Sequence, residues 1–297
     1  MSQFSRTNSG VSNLHLFHSV DFLVFTEGGG RNVPIREAFS GIDNFAPTDK
    51  KFWSLVLRGN GVNKSFSVKA IGSKSAVMEV AKKIELGDIK NVIAAMDRDF
   101  DDYMGELIYS PLVLYTDGYS WESDVYTKEL TKEQLSSFLF IDSLTPEVEK
   151  EVESAYGAFE NIGARLARVE MIFREQGVPW ISEARGEKFF RPEKKGIIDR
   201  QNLRKSIRER KSSIQRPVSS PVPGSMALNP YKVTCGKLLR ALSVSVMRYL
   251  GKKYGNCSTL PNDVIAAVML DRFGSSDSHV RSEYYARAVA SLVSVLK

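Results

Sequence analysis

Cysteine is scarce in this sequence. The 297 residues hold two, Cys235 and Cys257, which form neither a metal-finger pattern nor a disulfide framework. Reduced thiols and a cytoplasmic location are therefore expected. Histidine is nearly as rare, and His15, His18 and His279 are too scattered for a histidine-rich zinc site. No apolar run approaches the ~20 residues that a membrane helix needs, and the polar start MSQFSRTNSG does not read as a signal peptide. No contact with a membrane is expected. Neither a G-x-G-x-x-G pattern nor the Gly-Lys-Ser/Thr of a P-loop occurs, so any ATP dependence is expected to come from another chain. No internal repeat is visible. What remains, 42% hydrophobic and 26% charged residues, is the composition of a soluble globular protein with one large or two modest domains.

Charge is unevenly placed. Residues 117–160 carry eleven acidic and three basic side chains, a local balance of −8. Residues 181–216 carry twelve basic and five acidic, a balance of +7. Such a basic block can dock a phosphate backbone, although a solvated surface helix is the commoner meaning of the pattern. Within it Lys188, Arg191, Lys194, Lys195, Arg204 and Lys205 are candidate nucleic-acid contacts. Trp180, Phe189 and Phe190 beside them offer stacking surfaces for bases, unless they are core residues.

Apolar runs predict strands over residues 21–26, 52–58, 65–71, 92–96 and 111–116. A Gly-Asn-Gly turn at residues 59–61 joins the second and third. Helical spacing follows over 73–86, and a short helix is predicted over 104–109. A long amphipathic helix starts at the N-cap Thr145 with Pro146 behind it and ends at Gly177 and Pro179. Its apolar stripe predicts core packing or a subunit contact. Helices are predicted near 231–254, 261–273 and 282–296. The fold class is accordingly α/β: a mostly parallel sheet flanked by helices, with an appended, mainly helical C-terminal region. The organisation expected is a polar segment 1–20, a catalytic domain 21–140 and a helical region 141–297. The last contains the basic block 181–216 and a Pro/Ser-rich connector 216–224.

The most informative stretch is NVIAAMDRDFDDY, residues 91–103. An apolar run is followed at once by Asp97, Asp99, Asp101 and Asp102. Acids at the carboxyl end of a parallel strand face the crevice where open α/β sheets bind ligands, and hard divalent cations take oxygen ligands. The plain alternative is that Asp99 or Asp101 merely caps a helix. A calcium loop counted from Asp97 would need Gly and Glu where Asp102 and Ile108 stand. A dehalogenase-type phosphatase would want Thr or Val at Asp101, so both are disfavoured. Two further acids follow apolar strands. Glu27 precedes Gly28, Gly29 and Gly30, and Glu122 lies in the YSWES segment after the run PLVLYT.

A Glu after the first strand, Asp-x-Asp after a later one and an acid beyond the next resemble the TOPRIM domain of topoisomerases, primases and OLD-family nucleases. The resemblance covers roughly residues 21–123. Ser120-x-Glu122 is similar to the Ser-x-Glu of OLD-type nucleases. The layout, with Gly236-Lys237 in a helical C-terminus, resembles the DUF4435 group, which includes the TOPRIM effector subunit of the PARIS anti-phage system. The resemblance implies a nuclease held inactive by an ABC-type ATPase sensor, released as a homodimer, and cleaving host tRNA. It departs from OLD-type nucleases in carrying Arg31 where a second acid often stands; the next acid is Glu37.

The expected mechanism is hydrolysis of a phosphodiester with Mg²⁺, or Mn²⁺ in its place. Glu27, Asp97 and Asp99 would hold one ion, with Glu122 and Asp101 completing or supporting a second. A lysine would offset charge on the phosphoryl oxygens; Lys237 is preferred to Lys188 for its Gly-Lys context. The competing expectations are an OLD-like DNA endonuclease and a non-catalytic module that docks the partner ATPase.

Overall fold

The computed structural model describes residues 7–28, 47–180, 186–191, 198–214, 221–255 and 261–296. Its chain forms two compact units. One comprises residues 1–98, 106–117 and 273–297; the other comprises 99–105 and 118–272. Arg98 closes a stretch of the first and Asp99 opens a stretch of the second.

The first unit is built on four parallel strands: β1 (Phe22–Thr26), β2 (Phe66–Ala70), β3 (Val92–Met96) and β4 (Val113–Tyr115). Their order is β2-β1-β3-β4, with Val24 opposite Val68 on one side and Ile93 on the other. Every residue of β1 and β3 is buried, as continuous apolar runs require when both faces of a sheet are covered. One face, carrying Leu23, Phe25, Val92 and Ala94, packs on Val77, Val80, Ala81 and Ile84 of the helix Lys74–Glu85. Phe22 stacks on Phe66 on the other face, where Arg58 of the helix Pro47–Gly59 lies over the Phe66 ring. Phe52 of that helix meets Trp53, Phe273 and Tyr285 in an aromatic cluster, which ties the C-terminal helix Glu283–Val295 into this unit.

The parallel sheet and the helix over 73–86 are as the sequence predicts. The strand expected over 52–58 is instead the helix Pro47–Gly59. Phe52, Trp53, Val56 and Leu57 are all buried, a spacing of one and four residues that marks a helical face rather than a pleat. Asp49 in the first turn favours that helix, and Gly61, at φ 80°, lies just beyond its end. The glycine turn therefore joins a helix to β2. The short helix expected over 104–109 lies earlier, at Asp101–Met104, because Gly105 adopts the left-handed conformation (φ 70°) and stops it.

In the second unit the long helix Pro146–Glu175 begins as predicted, with the Thr145 side chain accepting from the Val148 amide and Glu147 and Glu149 in its first turn. Its stripe, including Val152, Phe159, Leu166 and Phe173, is core. The helices Lys128–Phe138 and Gly236–Tyr254 share that core. A buried polar link crosses it: Thr131 Oγ1 lies 2.7 Å from Tyr156 Oη and 2.6 Å from Ser243 Oγ, and Tyr156 donates to the Tyr126 carbonyl. No helix is long and apolar enough to cross a membrane among the described residues.

Ile93→Ala, in the fully buried middle of β3, is expected to cost about 2–5 kcal/mol. The shift in urea-unfolding midpoint at unchanged m-value measures it.

Candidate active site

In the first unit two of the expected acids meet. The connection leaving β1 leads to β2 on one side, whereas the connection leaving β3 leads to β4 on the other. The carboxyl ends of β1 and β3 therefore flank the point where strand order reverses, which is where open parallel sheets bind ligands. Glu27 and Asp97 are the first residues beyond these two strands, and the Asp97 amide donates to Glu27 Oε1 at 3.0 Å. β1 is turned away after Glu27 by Gly28, whose φ of 106° suits glycine and whose amide donates to the Gly72 carbonyl at 2.8 Å.

Arg98, the middle residue of Asp-x-Asp, is fixed on several sides within the same unit. Its amide donates to Thr116 Oγ1 at 2.9 Å and its Nε to the Thr116 carbonyl at 2.9 Å. Its guanidinium donates to Tyr284 Oη at 2.6 Å and lies over that ring, while its carbonyl accepts from Lys74 Nζ at 3.2 Å. Tyr284 in turn donates to the Tyr115 carbonyl, and Tyr285 Oη accepts from the Asp117 amide. Two adjacent tyrosines of the C-terminal helix thus hold the end of β4, and Tyr284 also holds the residue after Asp97.

Asp99, Asp101 and Glu122 belong to the second unit. Asp99 takes the left-handed backbone conformation (φ 51°), rare outside glycine, and its amide donates to the Tyr119 carbonyl at 2.7 Å. Arg174 Nη2 stands 3.7 Å from Asp99 Oδ1 and donates to Tyr119 Oη, with the guanidinium over the Phe100 and Tyr119 rings. Its Nε donates to Glu170 at 3.2 Å, and Glu170, only 1% exposed, also accepts from the Trp180 amide. Burial, with the Asp99 charge beside it, pushes the Tyr119 hydroxyl well above its ordinary range and keeps it neutral. Burial works against the charge of Arg174, but the carboxylates of Asp99 and Glu170 outweigh it and hold the guanidinium protonated.

Asp101 is buried at the first position of its short helix. Glu122 is buried too and accepts from Ser120 Oγ at 2.5 Å. Gly236 explains the Gly-Lys segment: a Cβ there would sit 2.1 Å from Ser120 Oγ and 2.9 Å from Glu122 Cβ. Lys237 is exposed in the first turn of the helix that Gly236 starts. A Cβ on Gly186 would sit 2.5 Å from the Lys237 carbonyl, so the 3₁₀ turn Gly186–Phe189, which carries Lys188, packs against that backbone. Cys235, the residue before Gly236, is buried, which raises its thiol to about 12.

Of the basic block, Arg204 and Lys205 are exposed on the helix Arg200–Lys211, and Arg191 stands 3.7 Å from Asp199. Lys194, Lys195, Arg31, Glu37, Gly29 and Gly30 lie outside the described residues. Trp180, Phe189 and Phe190 are core residues, not stacking platforms. Among the described residues no three His, Cys, Asp or Glu side chains gather closely enough to hold one metal ion. Arg98, Tyr284, Tyr119, Glu170 and Arg174 escape a reading of the sequence, because nothing in their spacing separates them from surface cations or core aromatics. No family model matches the chain, and no curated protein matches it.

Arg174→Met leaves Glu170 buried without its cation and is expected to cost about 3 kcal/mol, whereas adding Glu170→Gln recovers much of the loss. Urea unfolding of the two single variants and the double variant measures the coupling. Gly236→Ala is expected to destabilise by about 1–3 kcal/mol, with partial rescue by Ser120→Gly, read as midpoints of thermal unfolding.

Proposed function

We propose that the chain is a metal-dependent phosphodiester hydrolase whose acid site is built on Glu27 and Asp97. The observation that carries the reading is their adjacency at the strand-order reversal, with the Asp97 amide bonded to Glu27. The donor chemistry fits Mg²⁺ or Mn²⁺. The paired groups are oxygen donors only, and Mg²⁺ commonly takes one or two carboxylates together with waters and substrate phosphate oxygens rather than a dedicated cage. Such an ion, when bound, lowers the pKa of an attacking water and offsets charge on the phosphoryl oxygens.

The chain's own residues orient the pair. The Asp97 amide directs the Glu27 carboxylate, and the bonds from Arg98 to Thr116 and Tyr284 restrict the backbone immediately after Asp97. Lys74 adds a further constraint through the Arg98 carbonyl. The TOPRIM-like order of acids supports a polynucleotide as substrate. It also sets the biological reading: an anti-phage effector that cuts host tRNA as a homodimer once an ABC-type ATPase partner releases it.

Glu27→Gln, which keeps an oxygen able to accept from the Asp97 amide, is expected to lower Mg²⁺-dependent cleavage of labelled tRNA about a hundredfold or more. Circular dichroism should be unchanged, and Mn²⁺ binding followed by electron paramagnetic resonance should weaken. Full cleavage and unchanged Mn²⁺ binding in this variant would sink the reading. Matched labelled DNA beside the RNA decides which polymer is cut.

A further inference from the structure

The helix Arg200–Lys211 is docked by one face. Leu203 is buried, Ile207 packs on the core, Ser206 accepts from Trp180 Nε1 at 2.7 Å and the Arg210 guanidinium donates to the Pro179 carbonyl. Asn202 adds a bond to the Lys188 carbonyl. Four other cations, Arg200, Arg204, Arg208 and Lys211, are all exposed. At 100° per residue they fall within ~80° of the helix circumference and run ~16 Å along it. They make no ion pair among the described residues. The helix's one acid, Glu209, lies on the opposite flank beside Lys205.

This stripe is not a device of the helix itself. Arg200/Arg204, Arg204/Arg208 and Arg208/Lys211 are like-charge neighbours at i,i+4 or i,i+3, a spacing that destabilises an isolated helix. The dipole favours cations in the last turn, but Arg200 stands in the first turn, behind the N-cap Asp199, whose carboxylate accepts from the Gln201 and Asn202 amides. A line of exposed cations with no ion pair among the described residues matches a polymer that carries regularly spaced negative charge. A membrane surface fits poorly, because the apolar residues of this helix are spent on the core and the exposed flank has none to insert.

We propose that Arg200, Arg204, Arg208 and Lys211 form a nucleic-acid backbone-binding stripe, gripping phosphates without reading bases. The neighbouring aromatics are buried, so no stacking accompanies the grip. The proposal rests on the hydrolase reading only for naming the polyanion. It reassigns the grip from Arg191, which is paired with Asp199, to the outer flank of this helix.

The test uses the full chain in EDTA, so that binding is read without cleavage, with a labelled duplex RNA of about twenty base pairs and a matched duplex DNA. Arg204→Glu/Arg208→Glu is expected to weaken binding at least tenfold and to reduce the slope of log K against log salt by about 2. Lys82→Glu/Lys83→Glu, the same change of net charge in the first unit, is expected to leave both nearly unchanged. Arg204→Lys/Arg208→Lys should retain binding. Loss of binding in EDTA by Arg204→Glu/Arg208→Glu is expected whether or not Glu27→Gln still cleaves, which separates this proposal from the hydrolase reading. Binding to either duplex supports the stripe, and their ratio names the natural polymer. Equal losses from the two charge reversals, an unchanged slope, no binding by the wild type, or a stripe-dependent self-association with no effect on nucleic acid would each overturn it.

Discussion

The parallel pairing of β1 with β3 is the constraint on which the first unit depends. Both strands are buried on two faces, so a slip of either by one residue would send every side chain to the opposite packed face. With Thr26 opposite Ala95, the residues that leave the two strands are fixed in register. The chain then parts in opposite directions, the arrangement at which open parallel sheets bind ligands. Glu27 and Asp97 are the residues this geometry places there. Their positions follow from the sheet, and the amide bond between them sets the finer orientation.

The second unit solves a different problem, that of keeping a buried charge. Glu170 is almost wholly removed from water, a cost that only paired and hydrogen-bonded partners offset. Arg174 supplies the charge, the Trp180 amide supplies a further bond, and Tyr119 and Phe100 supply rings for the guanidinium. Asp99 belongs to this network through Arg174 and through its own amide. A buried ion network of this kind adds less to stability than equivalent apolar packing, so its effect is better sought in geometry. Here the geometry held is the left-handed turn at Asp99, which a non-glycine residue adopts only when its surroundings compensate.

How much of this was legible in the sequence follows from which interactions are local. The strands over 22–26 and 92–96 are near-continuous apolar runs, that over 66–70 alternates apolar and polar residues, and the long helix carries its own N-cap, so composition and spacing reveal them. Residues 52–58 misled because Phe, Trp and Val suit strands, whereas the burial of positions one and four apart belongs to a helix. The pairing of Glu27 with Asp97 could be inferred from strand-end positions. The engagement of Asp99 by Arg174 could not, since an arginine near the end of a helix reads as a dipole partner. Gly236 stood out in its Gly-Lys context, but its role is close approach to Ser120 and Glu122, a constraint set by residues more than a hundred positions away.

Two opposed electrostatic requirements meet in the hydrolase reading. A pair of carboxylates repels a phosphodiester as strongly as it repels another acid, and at 4 Å two unit charges exchange about 4 kcal/mol at an effective dielectric of 20. Carboxylates can therefore serve such a substrate only with cations between them and the phosphate, and a divalent ion is the compact means of supplying two charges. A bound ion does not, however, recruit a long polymer from solution. That demands fixed positive charge spread along the chain's surface, effective over about 10 Å at moderate salt. The sequence separates these tasks, with acids at strand ends in one region and a net-basic block in another, and among the described residues Arg200, Arg204 and Arg208 of that block make no ion pair.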